Sequence, residues 1–369
     1  MKILVTGADG FIGKNLCIRL NNEKDLKVLK FTRGDSIDNL SSHISKADMV
    51  IHLAGENRPE DPNLFKEINL GLTEDLCRIL KDTKSKIPVI FSSSIQATED
   101  NLYGKSKLAA EGALEDLSKN NGNTIIVYRL PGVFGKWCKP DYNSVVATFC
   151  KNIANDLPIK INNPDTLIKL VYIDDVIESF LETLRNLSYK NIVRIEVCPE
   201  YEIILQDLAD KILNFKNSRK SLTASRVGKG LERALYATYL SYLPHDKFYY
   251  EVPTHGDERG VFVEMLKTFD SGQFSFFTAH PGITRGGHYH HTKNEKFLVI
   301  NGKALFKFRN IITNEIVTIE TSEQSPTIVE TIPGWAHDIT NIGESEMFVL
   351  LWANEVFDHQ HPDTIAIEV

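Results

Sequence analysis

The sequence predicts two folds in succession: a Rossmann-type α/β domain with a doubly wound parallel sheet, and then an all-β barrel. In the first part of the chain, short apolar strands alternate with polar or helical stretches, which is typical of βαβ units and a parallel sheet. From about residue 256 onwards, alternating β-type stretches dominate, and Asn301-Gly302 between two of them is a strong hairpin signal. A length of 369 residues accommodates two or three domains.

The α/β elements follow one another closely. Strands are expected at residues 2–6, 27–32, 49–53, 89–92 and 124–128. A helix begins near residue 11, helical periodicity covers residues 65–80, and a further helix follows residue 107 and runs to about 119. Beyond them, mixed helical segments from about 134 to 218 predict a lobe that covers a substrate over the sheet.

The character of the chain changes between about residues 241 and 255, where it becomes aromatic and punctuated by proline. We therefore expect a boundary near residue 244, with the α/β domain and its lobe at 1–243 and the barrel at 244–369. The barrel strands are expected at residues 273–278, 296–300, 304–309, 316–320 and 347–352.

Composition limits the class of protein. The chain is 42% hydrophobic and 25% charged, with a formal net charge of −7, which predicts an ordinary globular enzyme without a footprint for nucleic acid or an anionic membrane. It has no leader-like N-terminus and no run of 18 apolar residues, so we expect a cytoplasmic location. The five cysteines are scattered and never in CxxC spacing, which argues against disulfides and thiolate metal sites.

A glycine-rich turn lies between the first strand and the first helix. Gly7, Gly10 and Gly13 form a GxxGxxG pattern, and Phe11 and Ile12 open the helix inside it. Glycines at these positions let a pyrophosphate approach the backbone N–H groups at a helix N-terminus, where the helix dipole favours anions. The position at the first βα turn predicts that these residues bind a dinucleotide.

The end of the second strand indicates which dinucleotide is bound. NAD enzymes usually carry an acidic residue there for the ribose hydroxyls, but this strand ends in Arg33. A guanidinium suits the 2′-phosphate of NADP, so NADPH is the expected cofactor. Asp35 follows two residues later, which leaves NADH as the alternative.

A tyrosine and a lysine stand four residues apart after a serine run. Tyr103 and Lys107 are neighbours on one helix face, and Ser92-Ser93-Ser94 precedes them at a strand end. We expect the Lys107 cation to lower the pKa of Tyr103, so that the phenol exchanges a proton with a carbinol or carbonyl oxygen near neutrality.

In this order the motifs resemble the extended short-chain dehydrogenase/reductase family over about residues 1–243. The resemblance implies that Ser94, or failing it Ser93, hydrogen-bonds the substrate carbonyl, that Tyr103 donates the proton, and that Lys107 binds the nicotinamide ribose. The remaining motifs that carry it are His52-Leu53-Ala54-Gly55, Tyr128-Arg129-Leu130-Pro131 and Tyr172-Ile173-Asp174-Asp175-Val176.

By the same resemblance, Leu53 and Ala54 contact the cofactor. Family members that dehydrate nucleotide sugars carry an acidic pair directly after the serine run. This chain has Ile95-Gln96 there, and neither side chain can transfer a proton. The departure favours plain ketone reduction over 4,6-dehydration.

Four potential metal ligands stand in the predicted barrel. His288 and His290 are two residues apart, so on a strand both point to one face, and Glu295 and His337 follow. Three imidazoles and one carboxylate make a metal site that leaves positions open for water or substrate. Such a set accepts zinc, iron, manganese or nickel.

The spacing of these ligands and of Gly282, Gly302 and Gly334 resembles the two motifs of the cupin family, a jelly-roll barrel, over about residues 256–369. Pro333 directly precedes Gly334, whereas the family has it one residue further back. If the barrel transfers a proton, the base could be His291, Lys296, a metal-bound hydroxide or another residue.

The whole chain also resembles bacterial capsule-biosynthesis enzymes that fuse an extended short-chain reductase to a C-terminal cupin. That resemblance implies a UDP-linked 4-keto-6-deoxy-HexNAc substrate, C3 epimerisation in the cupin and C4 reduction with NADPH. It further implies a UDP-6-deoxy-L-talosamine-type product on the UDP-N-acetyl-L-fucosamine pathway, zinc as the metal, and a homodimer.

Two other functions fit the sequence. In one, the barrel only dimerises and stabilises the protein, its metal is structural, and the chain is a simple NADPH ketoreductase. In the other, the dinucleotide fold senses redox state without turnover, and the intact set of Ser94, Tyr103 and Lys107 argues against this.

Overall fold

A computed structural model describes residues 1–58, 61, 65–186, 188–252, 254–257, 260–263, 266–268, 272–355 and 360–369. The chain divides into two compact units, which are described separately. The N-terminal unit comprises Met1–Phe134, Asp141–Ser144 and Ile168–Ile203. The C-terminal unit comprises Gly135–Pro140, Val145–Leu167 and Ile204–Val369.

Strands and helices alternate over the first part of the chain. In chain order they are β1 (Lys2–Thr6), α1 (Phe11–Asn21), β2 (Lys27–Phe31), α2 (Ile37–Ile44), β3 (Met49–His52), α3 (Leu72–Asp82), β4 (Val89–Ser94), α4 (Leu102–Asn121), β5 (Ile125–Leu130), β6 (Gly132–Phe134), α5 (Val145–Ala154), β7 (Leu167–Tyr172), α6 (Ile173–Arg185), β8 (Ile192–Ile195) and β9 (Tyr201–Ile204). A π-helix at Phe65–Gly71 precedes α3, and a 3₁₀ turn at Ile95–Thr98 precedes α4.

Strands dominate the rest. In chain order the elements are α7 (Leu205–Ser221), β10 (Thr223–Ala224), α8 (Gly230–Leu240), β11 (Tyr249–Glu251), β12 (Thr254–Asp257), β13 (Gly260–Val263), β14 (Lys267–Thr268), β15 (Gln273–Ala279), β16 (Thr284–Tyr289), β17 (Glu295–Asn301), β18 (Lys303–Asn310), β19 (Ile316–Ser322), β20 (Thr327–Glu330), β21 (Trp335–Asn341), β22 (Met347–Ala353) and β23 (Ile365–Ala366). A 3₁₀ turn at His245–Lys247 joins α8 to β11.

The N-terminal unit is built on a six-stranded parallel sheet with the order β2-β1-β3-β4-β5-β8. Its central strands are continuous apolar runs, as in Ile3, Leu4 and Val5, because helices cover both faces and no side chain of these strands can remain in water. The strand order reverses beside β1, and in such sheets ligands bind in the crevice at the carboxyl ends of the strands. The predicted Rossmann-type fold is confirmed.

Helix α4 begins at Leu102, before the start expected from the sequence. The side chain of Asn101 caps it by accepting a hydrogen bond from Gly104 N at 2.7 Å, which satisfies one of the free donors of the first turn. The helix ends where Gly122 adopts a left-handed conformation. Tyr103 and Lys107 therefore both lie in its first half.

The C-terminal unit contains two five-stranded antiparallel sheets, ordered β11-β20-β17-β22-β15 and β19-β18-β21-β16-β23. The predicted jelly-roll barrel of the cupin type is confirmed. The same unit contains the helices α5, α7 and α8, which pack on one another through aromatic rings such as those of Phe215 and Tyr236, 5.1 Å apart. Among the residues that the structure describes, no helix is both long and apolar enough to cross a lipid bilayer.

Candidate functional site

The glycine-rich turn brings the start of α1 against the end of β3. Gly7 has a φ of +66°, and a Cβ there would lie 2.8 Å from the backbone N of Ala54. A Cβ on Gly13 would lie 2.1 Å from the carbonyl oxygen of Gly7. Within the described residues no side chain caps α1, whose first residues are Phe11 and Ile12. Its first N–H groups are thus free to bind an anion.

A cavity of about 650 Å³ opens beside this turn. It is lined by four of the predicted cofactor residues, Gly7, Gly10, Arg33 and Ala54. Leu53 directly follows β3, and the backbone N–H groups of Leu53 and Ala54 both donate to Thr6 Oγ1 at 3.2 Å. Four of the predicted cofactor residues thus line one cavity at the carboxyl ends of the strands, where sheets of this type bind dinucleotides.

Arg33 and Asp35 have different partners at the end of β2. The exposed Arg33 side chain lies with Nη2 2.7 Å from Oε2 of Glu56, a residue that the sequence analysis missed. Asp35 turns back on its own loop, where one carboxylate oxygen accepts from Thr32 N at 2.7 Å and Thr32 Oγ1 at 2.9 Å. The carboxylate beside Arg33 is thus that of Glu56.

Burial alone would raise the pKa of Glu56, but hydrogen bonds from Tyr142 and Arg33 hold it below the usual range. The carboxylate therefore stays charged at neutral pH. No local pattern marks Glu56 as a partner of Arg33, because the two residues belong to different βα connections.

Tyr103 and Lys107 lie against the serine run at the end of β4. Burial raises the pKa of Tyr103, and a hydrogen bond with Ser94 lowers it only in part. The expectation of a lowered Tyr103 pKa is therefore wrong. Lys107 donates to the carbonyl oxygen of Ser92 at 2.9 Å, and burial lowers its own pKa to about 8.

The two candidate serines are engaged differently. Ser94 Oγ accepts from Gln96 N at 3.1 Å and hydrogen-bonds with Tyr103. Ser93 Oγ donates to the buried carboxylate of Glu111 at 2.5 Å. Since the hydroxyl of Ser93 is committed to Glu111, the geometry favours Ser94 as the group that meets a substrate.

A buried histidine lies at the end of β3. His52 Nδ1 lies 2.7 Å from Thr6 Oγ1, and Nε2 lies 2.9 Å from Thr73 Oγ1. Burial, together with the nearby Lys107 cation, lowers the pKa of His52 to about 3. His52 is therefore neutral, and it links β3 to β1 and α3.

In the C-terminal unit, the four predicted ligands form one cluster. One ligand atom from each of His288, His290, Glu295 and His337 lies within 4.8 Å of the others. His288 and His337 are register partners on β16 and β21, although the register shifts by one residue between Gly286 and His288. Glu295 comes from β17 in the other sheet, so the cluster spans both sheets of the barrel.

The electrostatics of the cluster fit a divalent cation. Burial and the neighbouring imidazoles lower the pKa of His288 to about 3, which leaves its nitrogens available as ligands. Burial alone would raise the pKa of Glu295, but hydrogen bonds with His290 and His337 hold it well below the usual range. The buried Nε2 of His337 lies 3.5 Å from Glu295 Oε2, which is long for a hydrogen bond. A metal would satisfy that nitrogen.

Two suggested bases point away from the small cavity beside the cluster. The His291 ring packs on Tyr289 at 5.4 Å, and Lys296 Nζ lies 3.0 Å from Tyr250 Oη and pairs with Glu330. The cavity, of about 200 Å³, has a described lining that includes neither His291 nor Lys296.

The described lining does include two charged residues that the sequence analysis missed. Arg285 lies with its guanidinium carbon 5.2 Å from the centre of the Phe277 ring. Asp338 directly follows His337 in the sequence, and burial raises the pKa of its carboxyl group. Simple alternation would place each of them on the strand face opposite the neighbouring histidine, so that pattern could not have found them.

A loop residue far along the chain holds the segment between His290 and Glu295. The carboxylate of Asp363 accepts from the backbone N–H groups of His291, Thr292 and Lys293 at 2.7–2.8 Å. Its carbonyl oxygen lies 2.5 Å from His290 Nδ1. This contact fixes the orientation of the His290 ring.

Comparisons with known proteins agree with both folds. The family model described as NAD dependent epimerase/dehydratase matches residues 3–195, and the model described as polysaccharide biosynthesis C-terminal domain matches residues 255–365. A UDP-2-acetamido-2,6-beta-L-arabino-hexul-4-ose reductase of Pseudomonas aeruginosa is 56% identical over 369 residues, which covers all of this chain and 99% of that protein.

Solved structures extend the likeness to the whole chain. The capsular polysaccharide assembling protein CapF from Staphylococcus aureus covers 100% of both chains at 40% identity and a TM-score of 0.68. A UDP-glucuronic acid 4-epimerase from Bacillus cereus, solved with NAD, covers 59% of this chain and 84% of that chain at 24% identity and a TM-score of 0.52, which supports the fold alone. The expected resemblance to capsule-biosynthesis enzymes is confirmed, and the chain belongs to the NAD dependent epimerase/dehydratase family, with a polysaccharide biosynthesis C-terminal domain after it.

Proposed function

We propose that this chain is an NADPH-dependent reductase of a UDP-linked 4-keto-6-deoxy amino sugar, and that its barrel epimerises C3 of the same sugar. The observation that carries the reductase is the convergence of Ser94, Tyr103 and Lys107 at the carboxyl end of β4. The activity in the name of the Pseudomonas relative, a keto-sugar reductase, supports the substrate class. The product is then of the UDP-6-deoxy-L-talosamine type, on the route to UDP-N-acetyl-L-fucosamine.

The cofactor crevice suits a phosphorylated dinucleotide. The backbone N–H groups of the first turn of α1, which follows Gly10, bind the pyrophosphate. Leu53 and Ala54 pack against the cofactor, and Arg33 binds the 2′-phosphate. When bound, NADPH supplies the hydride. Lys107 holds the ribose, and its charge is retained at neutral pH because its pKa is about 8.

The raised pKa of Tyr103 suits reduction. At neutral pH the phenol carries its proton, so Tyr103 can donate that proton to the C4 oxygen as C4 becomes tetrahedral. Ser94 orients the same oxygen with a hydrogen bond. Ile95-Gln96 offer no second acid or base, which keeps the chemistry at one carbonyl.

In the barrel, His288, His290, Glu295 and His337 would hold a divalent metal, for which zinc is our choice. Such an ion would polarise a ketone and so acidify the neighbouring C–H bond. Burial lowers the pKa values of His288 and His337, the Glu295 carboxylate stays charged, and the cavity beside them leaves about 200 Å³ for a ligand. We assign reduction to residues 1–243 and epimerisation to 244–369, and we propose that the chain acts as a homodimer.

One experiment tests this division. The full chain is incubated with the UDP-4-keto-6-deoxy sugar in D₂O without NADPH, and deuterium at C3 is followed by NMR. We expect incorporation by the wild type and its loss in His290→Ala. Incorporation that persists in His290→Ala would contradict epimerisation in the barrel.

A second function is favoured by one observation. The cluster joins β16 and β21 of one sheet to β17 of the other. A metal bound there would therefore also cross-link the two sheets and stabilise the barrel. In that case the chain is a monofunctional NADPH 4-ketoreductase, and its barrel dimerises and stabilises it. The wild type would then incorporate no deuterium at C3 but would still oxidise NADPH with the keto sugar.

A further inference from the structure

Helix α4 carries a third ionisable residue in line with Tyr103 and Lys107. Glu111 follows Lys107 by four residues, as Lys107 follows Tyr103, so the three side chains lie on one face of the helix. Glu111 is 1% exposed, although ionised carboxylates are seldom buried so fully without a reason. Nothing in the proposed reduction uses this carboxylate.

Each of the three residues engages one residue of the serine run. Tyr103 hydrogen-bonds with Ser94, Lys107 donates to the carbonyl oxygen of Ser92 at 2.9 Å, and Glu111 accepts from Ser93 Oγ at 2.5 Å. The end of β4 is therefore tied to α4 at three consecutive positions. The contact of Glu111 with Ser93 lies between the contacts at Ser92 and Ser94.

Arginines from the neighbouring strands keep Glu111 in place. Arg129 of β5 donates from Nε at 3.0 Å and from Nη2 at 2.7 Å, and Arg194 of β8 lies 3.8 Å away. Burial alone would raise the pKa of Glu111, but the hydrogen bonds from Arg129 and Ser93 hold it below the usual range. Ser93 and Arg129 are also register partners across β4 and β5. The carboxylate is thus charged, oriented and attached to three strands.

We propose that Glu111 is a positioning residue of the reductase site, which fixes the end of β4 through Ser93. This inference rests on the proposed reductase function. Glu111 would contact neither substrate nor cofactor. It would set the direction of the Ser94 hydroxyl and the protonation of the ammonium group beside Tyr103.

The effect on Lys107 has a definite sign. Burial lowers the pKa of Lys107 to about 8, and the negative charge of Glu111 opposes that shift. Without Glu111 the pKa falls further, so the ammonium loses its proton at a lower pH. The other titratable or charged groups around the pair are Tyr103 and Glu115 of α4, His52 of β3, Arg129 of β5 and Arg194 of β8.

Glu111→Gln tests the proposal because it removes the charge and keeps the shape. NADPH oxidation with the keto sugar is measured from pH 6 to 10, and Glu115→Gln serves as the control. Glu115 stands one turn further along α4, where Arg194 Nη2 lies 2.8 Å from its carboxylate. We expect kcat of Glu111→Gln to fall about 10- to 100-fold. The pH at which kcat of Glu111→Gln declines on the alkaline side should be about one unit lower than in the wild type, whereas Glu115→Gln keeps the wild-type pH profile.

Ser93→Ala provides a second arm if Glu111→Gln fails to fold, as judged by thermal unfolding. It removes only the hydroxyl, and we expect a lower kcat with an unchanged alkaline limb, since the charge of Glu111 remains. If Glu111→Gln kept the wild-type kcat and pH profile, or if Ser93→Ala kept the wild-type kcat, the inference about Glu111 would be wrong while the proposed function would still stand. If the wild type oxidised no NADPH with the keto sugar, the proposed function would fail with it.

Discussion

The proposed reductase site and the cluster of three histidines and one glutamate are assembled in different ways. The reductase groups lie between Ser92 and Glu111, on one strand end and the helix that follows it. The four clustered side chains come from β16 and the segment after it, from β17 and from β21, and Asp363 near the C-terminus holds the segment between His290 and Glu295. A site made from one strand and one helix is determined largely by local spacing. A site made from distant strands is determined by sheet register and long-range contacts.

Tyr103→Phe gives the largest expected effect and tests whether the two sites are independent. Without the phenolic proton, reduction should slow by about 10²- to 10⁴-fold. Deuterium incorporation at C3 should continue at the wild-type rate, because the change lies outside the barrel. The two rates are measured with the same keto sugar, with and without NADPH. Equal losses in both would show that the sites do not act separately.

Asp363→Ala should break the barrel site through one long-range contact. Its removal leaves the N–H groups of His291, Thr292 and Lys293 without their carboxylate acceptor, which should cost about 2 kcal/mol of barrel stability. Zinc affinity should fall as well. Without the carboxylate, the backbone carbonyl oxygen of residue 363, which contacts His290 Nδ1, is held less firmly. Thermal unfolding and competition with a zinc chelator measure these effects.

Asp363→Asn is the matched control, because its amide oxygen can still accept the hydrogen bonds from Thr292 N and Lys293 N, which share one carboxylate oxygen in the wild type. It should keep most of the stability that Asp363→Ala loses. Unchanged unfolding and zinc affinity in Asp363→Ala would mean that the segment between His290 and Glu295 is held by other contacts.

Glu56→Gln has the smallest expected effect and examines a long-range contact in the N-terminal unit. Glu56 stays charged beside Arg33, so its carboxylate competes with a 2′-phosphate for the guanidinium. Removing that charge should lower KM for NADPH by about two- to fivefold and leave KM for NADH nearly unchanged, because an exposed ion pair contributes little. Steady-state kinetics with both cofactors measure the ratio. A ratio equal to that of the wild type would exclude this role for Glu56.

The sequence was sufficient to predict those features that depend on the spacing of residues along the chain. Both folds could be predicted from strand alternation and helix periodicity, and the glycine turn and the four clustered side chains from the spacing of their residues in the sequence. Glu56, Glu111 and Asp363 could not, since each acts on a residue from another element. The pKa of Tyr103 was predicted with the wrong sign, because spacing to Lys107 says nothing about how deeply the phenol is buried.

The register shift between Gly286 and His288 determines which side of the strand the two histidines face. One extra residue there exchanges the inner and outer faces for everything that follows on β16. Losing that residue would turn His288 and His290 outwards while every ligand remained in the sequence. The four-residue cluster therefore depends on the number of residues in β16 as well as on their identity, and a relative that keeps all four residues but lacks the extra one would not be expected to form the cluster.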